Sequence, residues 1–414
     1  MGEGLMVALQ APHILVVNVY FAPYSFGGAT VVAEQVAQQL CRVHGCRVTA
    51  ISAMSRADLA PYTVIKTAKD GVVNYLINLP FQRPYEKTYD NPEVTAVVSR
   101  LMQQLSPDLV HLHCLQDIGA GVIAAAKAQA LPVILSTHDF WWICERQFMI
   151  RMDGAYCRQD PIDVSACGGC VEDLGKAQLR QTHLQQAAAQ VDLLTCPSDF
   201  ALDLSLRSGL KGHENRVWRN GVHLPGPDFV AQQTARRASG RLAFGFVGGP
   251  SQIKGWPIIR KAFAQLQTAV DFDVYVVEGS LDGSWWRGAD FSGLAGDWHV
   301  LPRFDQKEMD GFYRRIDVLL FLSQWRETFG LTIREALARG IRVVQTDSGG
   351  TTEHGRADPA HMLPIGAGPE ALVAELEHVL GTAEAHPSPE PVTSFADQAA
   401  ELFDWVVQLQ TAPR

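Results

Sequence analysis

Short apolar runs alternate with stretches of helical period along most of the chain. His13 to Val19 (HILVVNV) is almost continuously apolar, the pattern of a parallel strand covered on both faces. The segment FAPYSFGGAT follows, and then Val32, Val36, Leu40 and Val43 fall at helical spacing: strand, glycine loop, helix. Arg47–Ala53 reads as the next strand, with an irregular region running on to about Pro92. Helix Pro92–Leu105, strand Asp108–Cys114, helix Ile118–Ala130 and strand Pro132–Thr137 continue the alternation. Residues 140–175 break it with an insertion bearing Cys and Trp. Helix Asp173–Ala189, strand Asp192–Cys196, a short helix and the turn Arg219-Asn220-Gly221 complete this half.

Pro225-Gly226-Pro227 and the polar stretch Gln232–Gly240 read as a linker. The pattern then restarts with strand Leu242–Val247, the loop Gly248-Gly249-Pro250, helix Trp256–Leu266 and strand Asp273–Val277. Strands follow at Trp298–Leu301, Asp317–Leu322 and Arg342–Thr346, with helices over Gln306–Tyr313 and Thr328–Ala338. After the stiff run Pro387–Pro391, a last helix over Ser394–Gln410 shows an apolar face of Phe395, Ala399, Leu402, Val406 and Leu409. The expectation is an α/β fold of two facing Rossmann-like domains, residues 1–221 and 222–393. Residues 394–414 then form a helix crossing back to the first domain.

A length of 414 residues suits two domains, and 47% hydrophobic residues can fill two cores. The net charge of −9 is uneven. Residues 1–220 hold 18 basic against 20 acidic side chains, and the remainder 17 against 24. No basic face marks a nucleic-acid binder. A phosphate-bearing ligand stays compatible, since a helix terminus binds anions inside an acidic protein. The near-neutral first half is compatible with peripheral docking on an anionic membrane. No run of about 18 apolar residues exists, and Met1 to Pro12 lacks a secretory pattern. The expected location is cytoplasmic, with the inner face of the membrane as a candidate place of work.

The segment from Glu327 to Gly340 (ETFGLTIREALARG) follows a strand, where open α/β sheets bind ligands. Backbone N–H groups of Phe329, Gly330 and Leu331 are expected at a helix start and would favour a diphosphate, with Gly330 allowing close approach. Glu335 lies where a carboxylate could accept from ribose hydroxyls. Equally, Glu327 is a helix-initiating acid and Glu335 a solvated one. Gly27-Gly28 can be an anion loop or an ordinary tight turn. His138, at a strand end in STHDFWW, can face a cleft or be a satisfied structural group; of His111 and His113, the first suits packing and the second the cleft. Lys254, in GFVGGPSQIKGW, can neutralise phosphate or be a solvated loop residue.

Glu327 and Glu335, eight apart, match the E-x7-E signature of retaining GT-B glycosyltransferases, and the chain from His13 to about Glu353 resembles family 4 of that group. The resemblance implies a GT-B architecture with a donor nucleotide on the second domain, an acceptor on the first and chemistry between them. It implies that Glu327 contacts the donor sugar, Glu335 the ribose, Phe329–Leu331 the diphosphate and sugar, and Lys254 the diphosphate. Gly27-Gly28 then approaches the phosphates and acceptor, His138 the reacting sugar, and Gly349-Gly350-Thr-Thr-Glu353 adds backbone amides. Gly249 departs from the pattern, standing where many relatives hold an arginine; Arg303 and Arg326 are the candidate substitutes. The implied activity is retaining transfer, hexosyltransferase in type, from a nucleoside-diphosphate sugar to a glycan, lipid-linked or small-molecule hydroxyl, in polysaccharide or glycoconjugate assembly. No cofactor is required for that chemistry. A non-hydrolysing nucleotide-sugar epimerase and a non-catalytic partner subunit of the same fold are the alternatives.

Cys144, Cys157, Cys167 and Cys170 fall in the insertion as C-x12-C-x9-C-x2-C. Four thiols in a loop expected to lack its own core are candidate ligands of a structural zinc. Unpaired thiols, or two disulfides, are the alternatives.

Overall fold

The computed structural model describes residues 11–25, 27–238, 240–382 and 387–411. Residues 1–10, which carry most of the segment read for a secretory signal, and Phe26 of the first glycine loop lie outside them. The first sheet contains β1 (His13–Val17), β2 (Arg47–Met54), β3 (Val64–Lys69), β4 (Val72–Asn78), β5 (Leu109–Leu112), β6 (Val133–Ser136), β7 (Leu193–Cys196) and β8 (Glu214–Val217). Their spatial order is β3-β4-β2-β1-β5-β6-β7-β8. The second contains β9 (Leu242–Phe246), β10 (Phe272–Val277), β11 (Asp297–Leu301), β12 (Val318–Phe321) and β13 (Arg342–Gln345), ordered β11-β10-β9-β12-β13. All pairs are parallel except β3 with β4. The central strands β1 and β9 are buried at every position, as continuous apolar runs require.

Helices α1 (Gly28–His44), α2 (Pro92–Leu105), α3 (Gly121–Lys127), α4 (Leu174–Ala188) and α5 (Asp199–Arg207) occur in the part of the chain that forms the first sheet. After α6 (Phe229–Arg237), helices α7 (Trp256–Gln265), α8 (Met309–Tyr313), α9 (Leu331–Leu337) and α10 (Pro369–Gly381) accompany the second. The last helix, α11 (Phe395–Thr411), returns to the first. Its Phe395, Ala399, Leu402 and Val406 share a core with Val32, Val36 and Leu40 of α1. Gln398 fixes its register, its carbonyl accepting from Trp218 Nε1 at 3.1 Å and its Oε1 from the Gly221 amide at 2.7 Å.

Three segments differ from the sequence expectation. The region before Pro92 holds the β3–β4 hairpin, whose Asp70-Gly71 turn puts both residues at positive φ (51° and 84°), the geometry of a two-residue hairpin loop. The largely exposed β3 (VIKTAK), half of it polar, carries little core signal. The polar β8 (ENRV) is likewise an edge strand. The stretch read as a linker holds α6: Phe229, only 3% exposed, anchors its start. Arg236 and Arg237 secure its end on the buried Asp317, at 2.5 and 2.9 Å. Among the described residues no helix is long and apolar enough to cross a membrane.

In each sheet the chain moves outward from its first strand on one side, then returns to the other. The reversals fall between β1 and β5 and between β9 and β12. Ligands of open α/β sheets lie beyond the strand ends at such crevices.

Candidate functional site

Both crevices open into one cleft of about 630 Å³. Hydrogen bonds join its halves: Thr328 Oγ1 donates to the His138 carbonyl and Ser198 Oγ to the Thr328 carbonyl, both at 2.6 Å. The amides of Asp199 and Phe200, at the start of α5, donate to the Glu353 carboxylate at 3.0 and 2.6 Å. Glu353 thus clamps the two sheets rather than lining the cleft.

The first-sheet wall carries Gly27 and Gly28 from the β1–α1 loop, with Gln116, Asp117, His138 and Asp139 from the ends of β5 and β6. Gly27 adopts φ 80°, and a Cβ there would meet nothing within 4 Å, so the loop leaves open space. His138 Nε2 lies 2.8 Å from His113 Nδ1 with the rings stacked, and His113 rests against His111, with centroids 4.1 Å apart. His111 in turn meets Ser136 Oγ at 2.8 Å. Burial holds all three rings neutral, lowering the pKa of His111 to about 3 and of His138 to about 4, and that of His113 well below the ordinary value. His138 Nδ1, the other ring nitrogen, is buried without a partner among the described residues. Asp139 accepts from the Trp141 amide and from Gln147 and Gln116, and burial raises its pKa.

The second-sheet wall runs from Trp325 through Glu327 to Thr332 and includes Lys254. Glu327 Oε1 accepts from Lys254 Nζ at 2.7 Å and from Ser323 Oγ at 2.6 Å. Its backbone pairs with the Ser348–Gly350 segment, placing the Gly349-Gly350 turn behind it. Helix α9 begins at Leu331, later than expected, with Gly330 as its left-handed cap (φ 81°). Phe329, Gly330 and Leu331 therefore form a bend into the helix, and their amides have no protein acceptor among the described residues. Arg334 secures the bend from below, donating to the carbonyls of Phe329, Gly350 and Thr351.

Glu335 stands apart from this group. It does not line the cleft, and its Oε2 accepts from Tyr313 Oη at 2.8 Å. Burial raises its pKa. A small cavity of about 80 Å³ at the end of β9 and β12 shares Lys254, Phe321 and Thr332 with the cleft, and Glu335 does not line it either. At Gly249 the cause is local: with φ 67° it lies under the Trp285 ring, which a Cβ would approach to 2.7 Å. Arg326 is committed to Asp160 at 2.5 Å, and Arg303 lines neither cavity. Lys254 is thus the one Lys or Arg among the described cleft residues.

The insertion shares the core of the first sheet: Phe140, Trp141, Trp142, Ile143, Met149 and Ile162 are all buried in that cluster. Arg180 lies under the Trp141 ring at 4.7 Å, and Phe148 meets Trp325 across the cleft edge at 5.1 Å. Cys144, Cys157, Cys167 and Cys170 are free thiols, and burial pushes the Cys144 pKa up to about 11. Among the described residues no group of three or more His, Cys, Asp or Glu side chains could hold a metal ion. Apolar burial holds the insertion on the first sheet, with Cys144, Cys157 and Cys167 packed against that core. Its Gln147 and Phe148, with Gln116, Asp117 and Trp325, are cleft residues that no motif singled out.

Comparison with known proteins agrees with this architecture. The family model described as Glycosyltransferase Family 4 matches residues 26–224, and that described as Glycosyl transferases group 1 matches residues 241–382. The chain is 25% identical over 365 residues to an uncharacterized 42.6 kDa protein in the cps region of Klebsiella pneumoniae, covering 84% of this chain and 88% of the relative. The fold is similar to sucrose-phosphate synthase from Thermosynechococcus elongatus, with TM-score 0.65, 15% identity and coverage of 96% and 97% of the two chains. It is also similar to HepE of Anabaena in complex with UDP-glucose, with TM-score 0.61, 16% identity and coverage of 96% and 97%. With one model on each sheet and the same fold in these structures, the chain belongs to the GT-B glycosyltransferases of the family 4 type.

Proposed function

We propose that the protein transfers a hexosyl unit from a nucleoside-diphosphate sugar to an acceptor hydroxyl with retention of anomeric configuration. The observation that carries this reading is the pairing of Lys254 with Glu327 on one wall, opposite Gly27-Gly28 and His138 on the other. The donor's diphosphate would take Lys254 and the amides of Phe329–Leu331, charge-assisted and dipolar donors already in place. Glu327, freed from Lys254, would accept from sugar hydroxyls, and Glu335 would meet the ribose. In the transfer the bond from the anomeric carbon to the diphosphate oxygen breaks. The acceptor oxygen bonds to the same face of that carbon, and the acceptor proton passes to the departing diphosphate. A neutral His138 suits a hydrogen-bonding partner for sugar or acceptor rather than a cation.

HepE was solved with UDP-glucose, which supports a donor of that chemical class. The Klebsiella relative from a cps region supports a setting in polysaccharide or glycoconjugate assembly. The test is a thermal-shift panel of nucleoside diphosphates and their sugars, since a ligand of the folded state raises Tm by mass action. Product anomer analysis follows on the best donor. Glu327→Gln should mainly lower turnover and Glu335→Gln should mainly weaken donor binding. Wild-type rates and affinities in both variants would sink the assignment, and inversion in the product would overturn its stereochemistry.

A further inference from the structure

We propose that the second half carries a separate small-molecule site, beside β13, that takes a hydroxylated phosphate monoester. A cavity of about 360 Å³ opens there, and none of its lining residues lines the cleft. Gln345, at the end of this edge strand, forms its floor with His354 and Arg356 from the loop after Glu353. Glu375 and the stacked rings of His361 and His378, 4.6 Å apart, form its rim.

The floor holds unspent hydrogen-bonding capacity. Gln345 is only 3% exposed, yet its Oε1 has no partner among the described residues. Its Nε2 lies 2.9 Å from His354 Nε2. An amide nitrogen only donates, so His354 Nε2 accepts and the neutral ring keeps its proton on Nδ1. Burial, aided by the charges of Arg334 and Arg356, keeps that ring neutral, with its pKa lowered to about 4. Among the described residues His354 Nδ1 is itself buried without a partner, and so is Arg356 Nη1. Buried polar groups are ordinarily satisfied, and three orphans around one cavity ask for a common occupant.

The nearby acids have partners among the described residues. Glu375 faces His361 at 3.1 Å and Arg342 at 3.8 Å, and Asp358, which also lines the cavity, accepts from the Ala360 amide at 3.0 Å. Glu390 accepts from the Gly355 amide at 2.7 Å and pairs with Arg356 itself, through Nε at 3.7 Å. Two donors on different side chains suit a tetrahedral oxyanion, which offers oxygens in several directions. A carboxylate is best matched by one guanidinium fork, and here Arg356 Nε is already turned to Glu390. Gln345 Oε1 then needs a donor, which a hydroxyl of the same molecule supplies. The volume is that of a pocket for a small metabolite.

The experiment titrates the full chain with glycerol 3-phosphate, inorganic phosphate and glycerol, following Tm and calorimetric binding. Glycerol 3-phosphate should bind and raise Tm, with inorganic phosphate about tenfold weaker for want of the hydroxyl. Arg356→Gln and Gln345→Leu should each weaken glycerol 3-phosphate about tenfold or more. Lys254→Gln, in the cleft, should leave its affinity unchanged. Circular dichroism checks folding, and Gln345→Leu, which keeps every charge, decides if Arg356→Gln does not fold. The site is refuted by absence of binding, or by binding that survives both pocket variants, including binding lost only in Lys254→Gln. Equal affinity for inorganic phosphate overturns the hydroxylated ester as its ligand. None of these failures touches the reading of the cleft, whose own test uses nucleotide sugars.

Discussion

Each half of the molecule begins strand, Gly-Gly, helix, yet the two loops are put to different uses. At Gly27 a Cβ would touch nothing, and at Gly28 only Leu331 Cδ1 from the other half, at 3.1 Å. At Gly248 it would meet Lys254 Cβ at 2.8 Å, and at Gly249 the Trp285 ring at 2.7 Å. The first pair leaves room on the cleft side; the second is filled by the protein's own side chains. A glycine pair therefore reports that something approaches the backbone closely, without saying whether it is a ligand or an indole. The difference also accounts for the missing arginine. Position 249 combines a left-handed backbone with an aromatic cover, so charge on that side falls to Lys254.

The comparison can be broken most directly at that lysine. Lys254→Gln should lower kcat/KM by about 10²–10³-fold, the usual cost of removing a donor to developing charge. Unchanged steady-state kinetics with the best donor would show that the second loop does not meet the phosphates.

The histidine stack beneath the first loop predicts a pH response. Unfolded histidines titrate near 6.5, whereas His111 and His138 are held down to about 3 and 4 and His113 is also lowered. Between about pH 6.5 and 4 the unfolded chain thus binds more protons, so stability falls as pH falls, by on the order of 1 kcal/mol per histidine per pH unit. Urea midpoints across that window measure it, and His111→Gln should flatten the slope.

Gly249→Ala should destabilise by about 1–3 kcal/mol, because the left-handed backbone and the Trp285 ring both oppose a Cβ. Adding Trp285→Ala should recover part of that loss if the ring is the obstacle. Gly28→Ala should have the smallest effect on stability, within about 0.5 kcal/mol, since its backbone is helical. By narrowing the open side it should weaken donor binding a few-fold in calorimetry. An equal stability loss at positions 28 and 249 would erase the distinction between the loops.

Much of this was legible from residue order. The buried parallel strands stood out because a short, continuous apolar run bounded by turn residues is what a strand covered on both faces requires. Phe395, Ala399, Leu402 and Val406 announced a helix seeking a partner, which α1 supplies. The β3–β4 hairpin was less legible because an exposed edge strand carries little apolar signal, although Asp70-Gly71 marked its turn. Helix α6 was hidden because a single apolar anchor and two arginines on Asp317 hold it, contacts some 80 residues apart. In the cleft, Lys254 and Glu327 were legible by type and position. Gln116, Asp117, Gln147 and Phe148 were not, since residues on irregular loops become cleft residues only when another segment closes over them.

By itself the sequence determined the two α/β halves, the strand ends that bear the polar groups and the apolar face of the returning helix. These follow from periodicity and from residue types that act within one element. The tertiary structure decided which glycine pair stays open, that the insertion packs on aromatic side chains, and that Arg326 is committed to Asp160. It also decided that Gln345, His354 and Arg356 share one cavity. Each of those outcomes depends on which side chains reach a position from elsewhere in the fold, and spacing along the chain does not encode that.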